Sequence, residues 1–211
     1  MRYAVVVGFL AALGAGCAQP PVKAETDLPA ASTLTVLVHD YAGLPIITLR
    51  EFEKATAVVL RRTGTQVDWT LCTGREVRTR PALCDGNLEP GRIVLRILGR
   101  HPGGQKKYGA PLGSAEVEAG YITLFAAEIQ RAAEQNRLPV GAVMAYAAAH
   151  EIGHLLLGPE HSPRGIMSAT WDKADYHGMG QRSLVFSRAE TARMQQGTRS
   201  RDEKYYATDL H

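Results

Sequence analysis

Residues 150–161 read His-Glu-Ile-Gly-His-Leu-Leu-Leu-Gly-Pro-Glu-His, and this stretch decides how the chain is interpreted. His150 and His154 are four residues apart, so on a helix they project about 40° apart around the axis and about 6 Å apart along it. Two imidazoles in that arrangement can bind one metal ion. His161 ends the run and offers a third imidazole. Zinc held by three protein ligands keeps a fourth position for water, which is typical of a catalytic site.

The residues around this motif favour a helix that ends just before His161. Residues 140–149 are apolar and rich in alanine, a composition that favours a helix, and Pro139 suits the first helical turn. The leucines at 155–157 continue the helix, and Gly158 is a common type of C-terminal stop. We therefore expect the chain to reverse after Gly158 and to bring His161 back toward the metal.

The sequence that follows makes the pattern more specific, because residues 162–167 read Ser-Pro-Arg-Gly-Ile-Met. Three histidines, a Gly between the second and third, a Ser after the third and a Met shortly downstream resemble the zinc-binding segment of the metzincin peptidases. Within that clan, His161-Ser162 and Ile166-Met167 are most similar to the matrixin branch. The resemblance implies that zinc (Zn²⁺) is bound by His150, His154 and His161, that Glu151 is the general base, and that Met167 forms the tight turn beneath the metal.

The motif is one residue longer than the metzincin pattern H-E-x-x-H-x-x-G-x-x-H. Three leucines, residues 155–157, stand where the pattern has two residues. One extra helical residue rotates the exit direction by about 100° and moves it by about 1.5 Å. If the turn at Gly158 does not absorb this change, Glu160 competes with His161 as the third ligand. The Ser that follows and the distance to Met167 favour His161.

The resemblance implies a zinc peptidase mechanism. Glu151 would accept a proton from the zinc-activated water and pass it to the leaving amine. Three functions remain open: an exported zinc endopeptidase acting on polypeptide, an exported zinc-binding protein of the same fold with a non-catalytic binding role, and a zinc amidase acting on cell-wall peptide. The intact Glu151 favours an enzyme. Tyr176 and His177 lie further downstream; a surface loop is the favoured interpretation, and the alternative is that these residues reach the cleft.

The N-terminus has the pattern of an export signal. A basic start is followed by an apolar stretch and by small residues around Cys17, so residues 1–17 are expected to be a signal peptide. The stretch before Cys17 resembles a bacterial lipobox, which would make Cys17 the lipidated first residue of a membrane-tethered lipoprotein. Cleavage after Ala18 would instead release a soluble protein. We expect export from a bacterial cell, as a periplasmic or outer-surface lipoprotein or as a secreted protein.

The rest of the composition is consistent with one exported domain. Cys72 and Cys84 remain after the signal and are expected to form a disulfide in an oxidising compartment. Residues 18–33 are interpreted as a linker, 34–197 as one metzincin-like domain and 198–211 as a flexible tail. A net charge of +3 is too small to indicate a nucleic-acid partner. We expect a monomer whose partner is a polypeptide substrate.

Hydrophobic periodicity predicts an α+β fold, and the resemblance makes it a metzincin-like catalytic domain: a twisted mixed β-sheet packed on helices that include the active-site helix. Strands are predicted at residues 34–39, 66–72, 92–98, 112–117 and 121–125, and helices at 48–62, 126–136, 140–157 and 188–196. Residues 75–91 and 99–113 are predicted loops. The resemblance would make 112–117 an edge strand along the cleft, able to bind an extended peptide; from spacing alone, an ordinary edge hairpin without a substrate role is an equal alternative.

Overall fold

The computed structural model describes residues 33–72, 84, 92–103 and 111–208. The predicted signal peptide with Cys17, the linker up to residue 32, and most of the predicted loop at 75–91 lie outside the described residues.

A five-stranded mixed sheet forms the centre of the described structure. Its strands are β1 (Thr33–Asp40), β2 (Gln66–Leu71), β3 (Arg92–Leu98), β4 (Gly113–Glu116) and β5 (Tyr121–Phe125). They are ordered β2-β1-β3-β5-β4, with β4 antiparallel to β5 and all other pairs parallel. The predicted edge position of β4 is therefore confirmed.

Five helices of the described residues pack with this sheet, and one of them carries the H-E-x-x-H motif. They are α1 (Ile46–Arg61), α2 (Ala126–Asn136), α3 (Val140–Leu157), α4 (Lys173–Gly180) and α5 (Arg188–Thr208). Helix α5 begins at the capping box that its sequence predicts: Glu190 N–H donates to Ser187 Oγ, and Ser187 N–H donates to the Glu190 carboxylate. It then continues to Thr208, past the predicted end at Gln196.

The main core lies between one face of the sheet and α3. Alternate residues of β1 and β3, such as Val36 and Leu95, are fully buried against helical residues such as Met144 and Ile152. By length and composition α3 is the one helix of the described residues that could cross a membrane, but 78% of it is buried inside the protein. This burial explains its apolar, alanine-rich sequence as that of a central core helix.

The other face of the sheet carries a smaller apolar cluster in which Cys72 and Cys84 pack with Leu37 and Val94. The two cysteines form a disulfide with an S–S distance of 2.03 Å. The predicted disulfide is confirmed.

Candidate metal centre

The three histidines of the motif come together at the C-terminal half of α3. Each offers one ring nitrogen, and these three atoms all lie within 4.8 Å of one another. His150 Nε2 and His154 Nε2 are 3.0 Å apart, since the four-residue spacing puts both rings on one side of the helix. His154 is buried while His161 is exposed, so the cluster has one side open to solvent.

The extra residue of the motif is absorbed at Gly158. This residue has φ +100° and ψ −176°, a conformation that glycine adopts far more readily than residues with a Cβ. The chain therefore leaves α3 abruptly and returns, which places the His161 ring centroid 4.7 Å from that of His154 and 5.3 Å from that of His150. Among the described residues Glu160 does not belong to the cluster, so His161 is its third member.

Backbone carbonyls orient two of the rings. His150 Nδ1 donates to the Ile166 carbonyl at 2.7 Å, and His154 Nδ1 donates to the Gly158 carbonyl at 3.0 Å. A carbonyl oxygen can only accept, so each Nδ1 carries the proton and each Nε2 presents its lone pair to the cluster. Burial, together with the neighbouring His154 and His161, lowers the pKa of His150 to about 4. The ring is thus neutral at neutral pH, as a metal ligand must be.

This donor set fits a zinc ion. Two Nε2 lone pairs at 3.0 Å repel each other unless a cation lies between them and accepts both. Tetrahedral zinc with Zn–N bonds of about 2.0–2.1 Å separates its nitrogen ligands by about 3.4 Å, close to the separation of this pair. The exposed third imidazole leaves room for a fourth ligand from solvent.

Met167 lies beneath the motif in a tight turn. Ser168 N–H donates to the Gly165 carbonyl at 3.1 Å, which closes the turn, and Met167 is 1% exposed. A Cβ at Gly153 would overlap the Met167 sulfur. The turn therefore packs directly on α3 beside His154, and only a residue without a side chain allows this approach.

Ser162 attaches the loop of the third histidine to the rest of the protein. Its N–H donates to the Met167 carbonyl at 2.8 Å, and its Oγ donates to the Glu190 carboxylate at the start of α5. The residue after His161 is thus held by both the Met167 turn and a helix cap.

Glu151 follows the first histidine and lies against the edge strand. It is 6% exposed, and burial raises its pKa to about 8. A Cβ at Gly113 of β4 would be 2.8 Å from Glu151 Oε1. A dication bound by the histidines would favour the charged form of this carboxyl group.

A cleft of about 800 Å³ surrounds these groups. Its walls are the histidine cluster, Glu151, strand β4, one face of α2 and the segment from Ser168 to Tyr176. Trp171 stands edge-on to His150, with ring centroids 5.6 Å apart. A second cavity of about 560 Å³, lined by α1, α3 and the segment around Phe186, contains none of the predicted site residues.

Tyr176 lines the cleft, which was the less favoured of the two alternatives that the sequence left open. It lies on α4, is partly buried and lines the cleft, and burial raises its pKa. His177 is exposed and lies outside the cleft walls. The sequence feature that could have predicted helix α4 is its capping box, in which the side chains of Asp172 and Asp175 accept each other's backbone N–H.

The structure of archaemetzincin from Methanopyrus kandleri is similar to this chain, with a TM-score of 0.52 and 17% identity over 82% of this chain and 99% of that one. Metalloproteinase-II from Bacteroides fragilis matches 80% of this chain and 54% of its own, with a TM-score of 0.49 and 12% identity. No protein-family model and no curated protein sequence matches.

The structural similarity to archaemetzincin shows the fold of this chain. The predicted α+β, metzincin-like architecture is therefore confirmed, and it carries a histidine triad that could bind zinc. Placement in the matrixin branch stays a prediction.

Proposed function

We propose that this protein is an exported zinc-dependent endopeptidase. The observation that carries the proposal is the histidine triad, whose Nε2 atoms on His150 and His154 are turned toward one point by backbone carbonyls. Glu151 is adjacent in sequence and is buried in the same cleft. Three metal-binding side chains and a nearby carboxylate that can act as general base are the groups that metal-assisted hydrolysis requires.

Each group has a defined chemical role in this proposal. Zinc held by His150, His154 and His161 would supply the Lewis acidity that acidifies water and polarises a carbonyl group. Glu151 would accept the proton of the attacking water and deliver it to the leaving nitrogen. Because Glu151 is 6% exposed, bulk water has little access to that proton.

Strand β4 supports an extended polypeptide as substrate. It pairs only with β5 among the described strands, so its other edge has main-chain groups available for hydrogen bonds. Gly113, Ser114 and Ala115 of this strand are wall residues of the cleft. An extended peptide can add to such an edge as a further strand and lie across the metal site.

Export is part of the proposal. The disulfide between Cys72 and Cys84 is compatible with an oxidising compartment outside the cytosol. A lipid on Cys17 would tether the enzyme to a membrane and would confine its substrates to that surface.

The test is cleavage of an unstructured peptide library by the zinc-loaded protein. We expect cleavage that a chelator abolishes and added zinc restores, and that Glu151→Ala reduces by about 10²–10⁴-fold. Glu160→Gln is the matched control, since this exposed carboxylate lies outside the histidine cluster and its loss should preserve zinc binding and activity.

Two results would redirect the proposal. A protein that binds one zinc per chain but cleaves no peptide would favour a binding role. Hydrolysis of cell-wall peptides alone would favour an amidase.

A further inference from the structure

Glu128 is a buried carboxylate in the wall of the cleft that the proposed mechanism does not use. It is 6% exposed, and its Oε2 has no hydrogen-bond partner. Glu128 forms no ion pair with a described lysine or arginine. Burial of a carboxylate oxygen without a hydrogen-bond partner is unfavourable, and such an atom requires an explanation.

The position of Glu128 connects it to the metal centre. Residues 128, 131, 132 and 135 of α2 all line the cleft, and their spacing places them on one face of that helix. Ala147 of α3 also lines the cleft, and it lies about one helical turn before His150. Ala132 and Ala147 are small residues, and they line the same cleft as Glu128 and the histidine cluster.

A purely structural role explains this carboxylate poorly. Glu128 lies in the first turn of α2, where a negative charge interacts favourably with the helix dipole. However, that interaction is equally available to an exposed residue and does not require burial. Glu128 Oε2 accepts no hydrogen bond from the first backbone amides of α2. Arg131, on the same face, is only partly buried and does not pair with it.

We propose that Glu128 determines substrate specificity by binding the cationic side chain of a lysine or arginine next to the cleaved peptide bond. This inference rests on the proposed peptidase function. A lysine or arginine stem would lie along the apolar surfaces of Ala132 and Ala147, and its charged end would pair with the carboxylate. The substrate would then supply the cationic partner that the described residues do not provide.

The first test compares peptides that differ only in charge at the residue next to the cleaved bond. Lysine is paired with norleucine and arginine with citrulline, because each pair has side chains of similar length. For the wild-type enzyme we expect kcat/KM to be about 10–100-fold higher for the charged member, from one charge-assisted hydrogen bond. Glu128→Gln should remove this preference, so that the charged and neutral members of each pair are cleaved with similar kcat/KM.

Glu134→Gln is the matched control, since Glu134 lies on the same helix but is exposed and outside the cleft walls. It should keep the wild-type preference. Unfolding midpoints of all three proteins show whether a change in the kcat/KM ratio reflects specificity or loss of fold.

A second measurement separates this inference from the proposed function. In a zinc-loaded Glu151→Ala background, which suppresses turnover, calorimetry measures binding of the lysine and norleucine peptides with and without Glu128→Gln. Lysine-selective binding that depends on Glu128 supports the subsite even if the wild type cleaves nothing, in which case only the peptidase proposal fails. The inference would be overturned if the lysine and norleucine peptides bind with equal affinity, if the preference for lysine survives Glu128→Gln, or if neither peptide binds.

Discussion

Replacement of Ser162 by alanine tests whether the hydrogen bond between Ser162 and Glu190 holds the third histidine in place. The Ser162 hydroxyl donates to Glu190, whose carboxylate is 6% exposed and also accepts the Ser187 N–H at 2.6 Å. The substitution removes one donor from a buried carboxylate and leaves the main-chain bond from Ser162 N–H to the Met167 carbonyl intact.

The expected loss of folding stability depends on how deeply this hydrogen bond is buried. A hydrogen bond to a charged group contributes about 1.5–3 kcal/mol. Ser162 is partly buried, so water can replace part of the lost interaction, and we expect a loss near the lower limit, about 1.5 kcal/mol. For a domain of this size that lowers the melting temperature by about 3–6 °C. Because His161 adjoins Ser162, zinc affinity should fall about tenfold, as for other groups that position ligands.

Urea unfolding of the metal-free protein measures the first effect, and competition with a chromophoric chelator measures the second. Ser168→Ala is the control. The Ser168 hydroxyl donates to the Thr170 carbonyl at 2.8 Å, and this hydrogen bond is exposed to solvent. We expect it to cost less than about 0.5 kcal/mol. If the two variants unfold at the same urea concentration and bind zinc equally, the hydrogen bond to Glu190 does not hold the loop.

Three further predictions follow from other parts of the structure. Gly113→Ala puts a Cβ 2.8 Å from Glu151 Oε1, so it should lower kcat/KM by up to about 100-fold without changing zinc affinity, whereas Ser114→Ala should leave both unchanged. Cys72→Ser with Cys84→Ser opens a loop with a sequence separation of 12 and should lower the free energy of unfolding by about 3 kcal/mol; an unchanged urea midpoint would contradict this. Zinc at about 100 times its Kd should stabilise the fold by about 2.7 kcal/mol, and a melting temperature insensitive to chelator would argue against a zinc site.

The histidine pair on α3 was predictable because both histidines belong to one helix. Their relative position depends only on helical geometry, and the apolar residues of the motif specify the helix. The third ligand was less determined, because the choice between Glu160 and His161 depends on the backbone conformation of Gly158. Its φ of +100° cannot be derived from spacing, although the glycine itself indicates that an unusual conformation is available.

The order of strands and helices up to α3 was also predictable, with differences of at most two residues at their ends. The errors lie after the metal site. Helix α4 is eight residues long and contains Gly178 and Gly180, so its periodicity is weak. Helix α5 passes through Gly197 and beyond the predicted end at residue 196. A Cβ at Gly197 would be 2.7 Å from the Leu156 carbonyl oxygen, so this glycine permits close packing of α5 on α3 and does not terminate the helix.

Glu128 and Glu151 show why a motif reveals part of a site and omits the rest. Glu151 is recognisable because its neighbours in sequence are also its neighbours in space. Glu128 belongs to a helix with Gln130, Arg131 and Glu134, where a charged residue is unremarkable. Its importance arises only when α2 packs beside α3 and β4 and the carboxylate becomes 6% exposed without a hydrogen-bond partner at Oε2. A candidate site built on one helix can therefore be recognised from local sequence, whereas a cleft whose walls come from several elements is recognised only in the assembled fold.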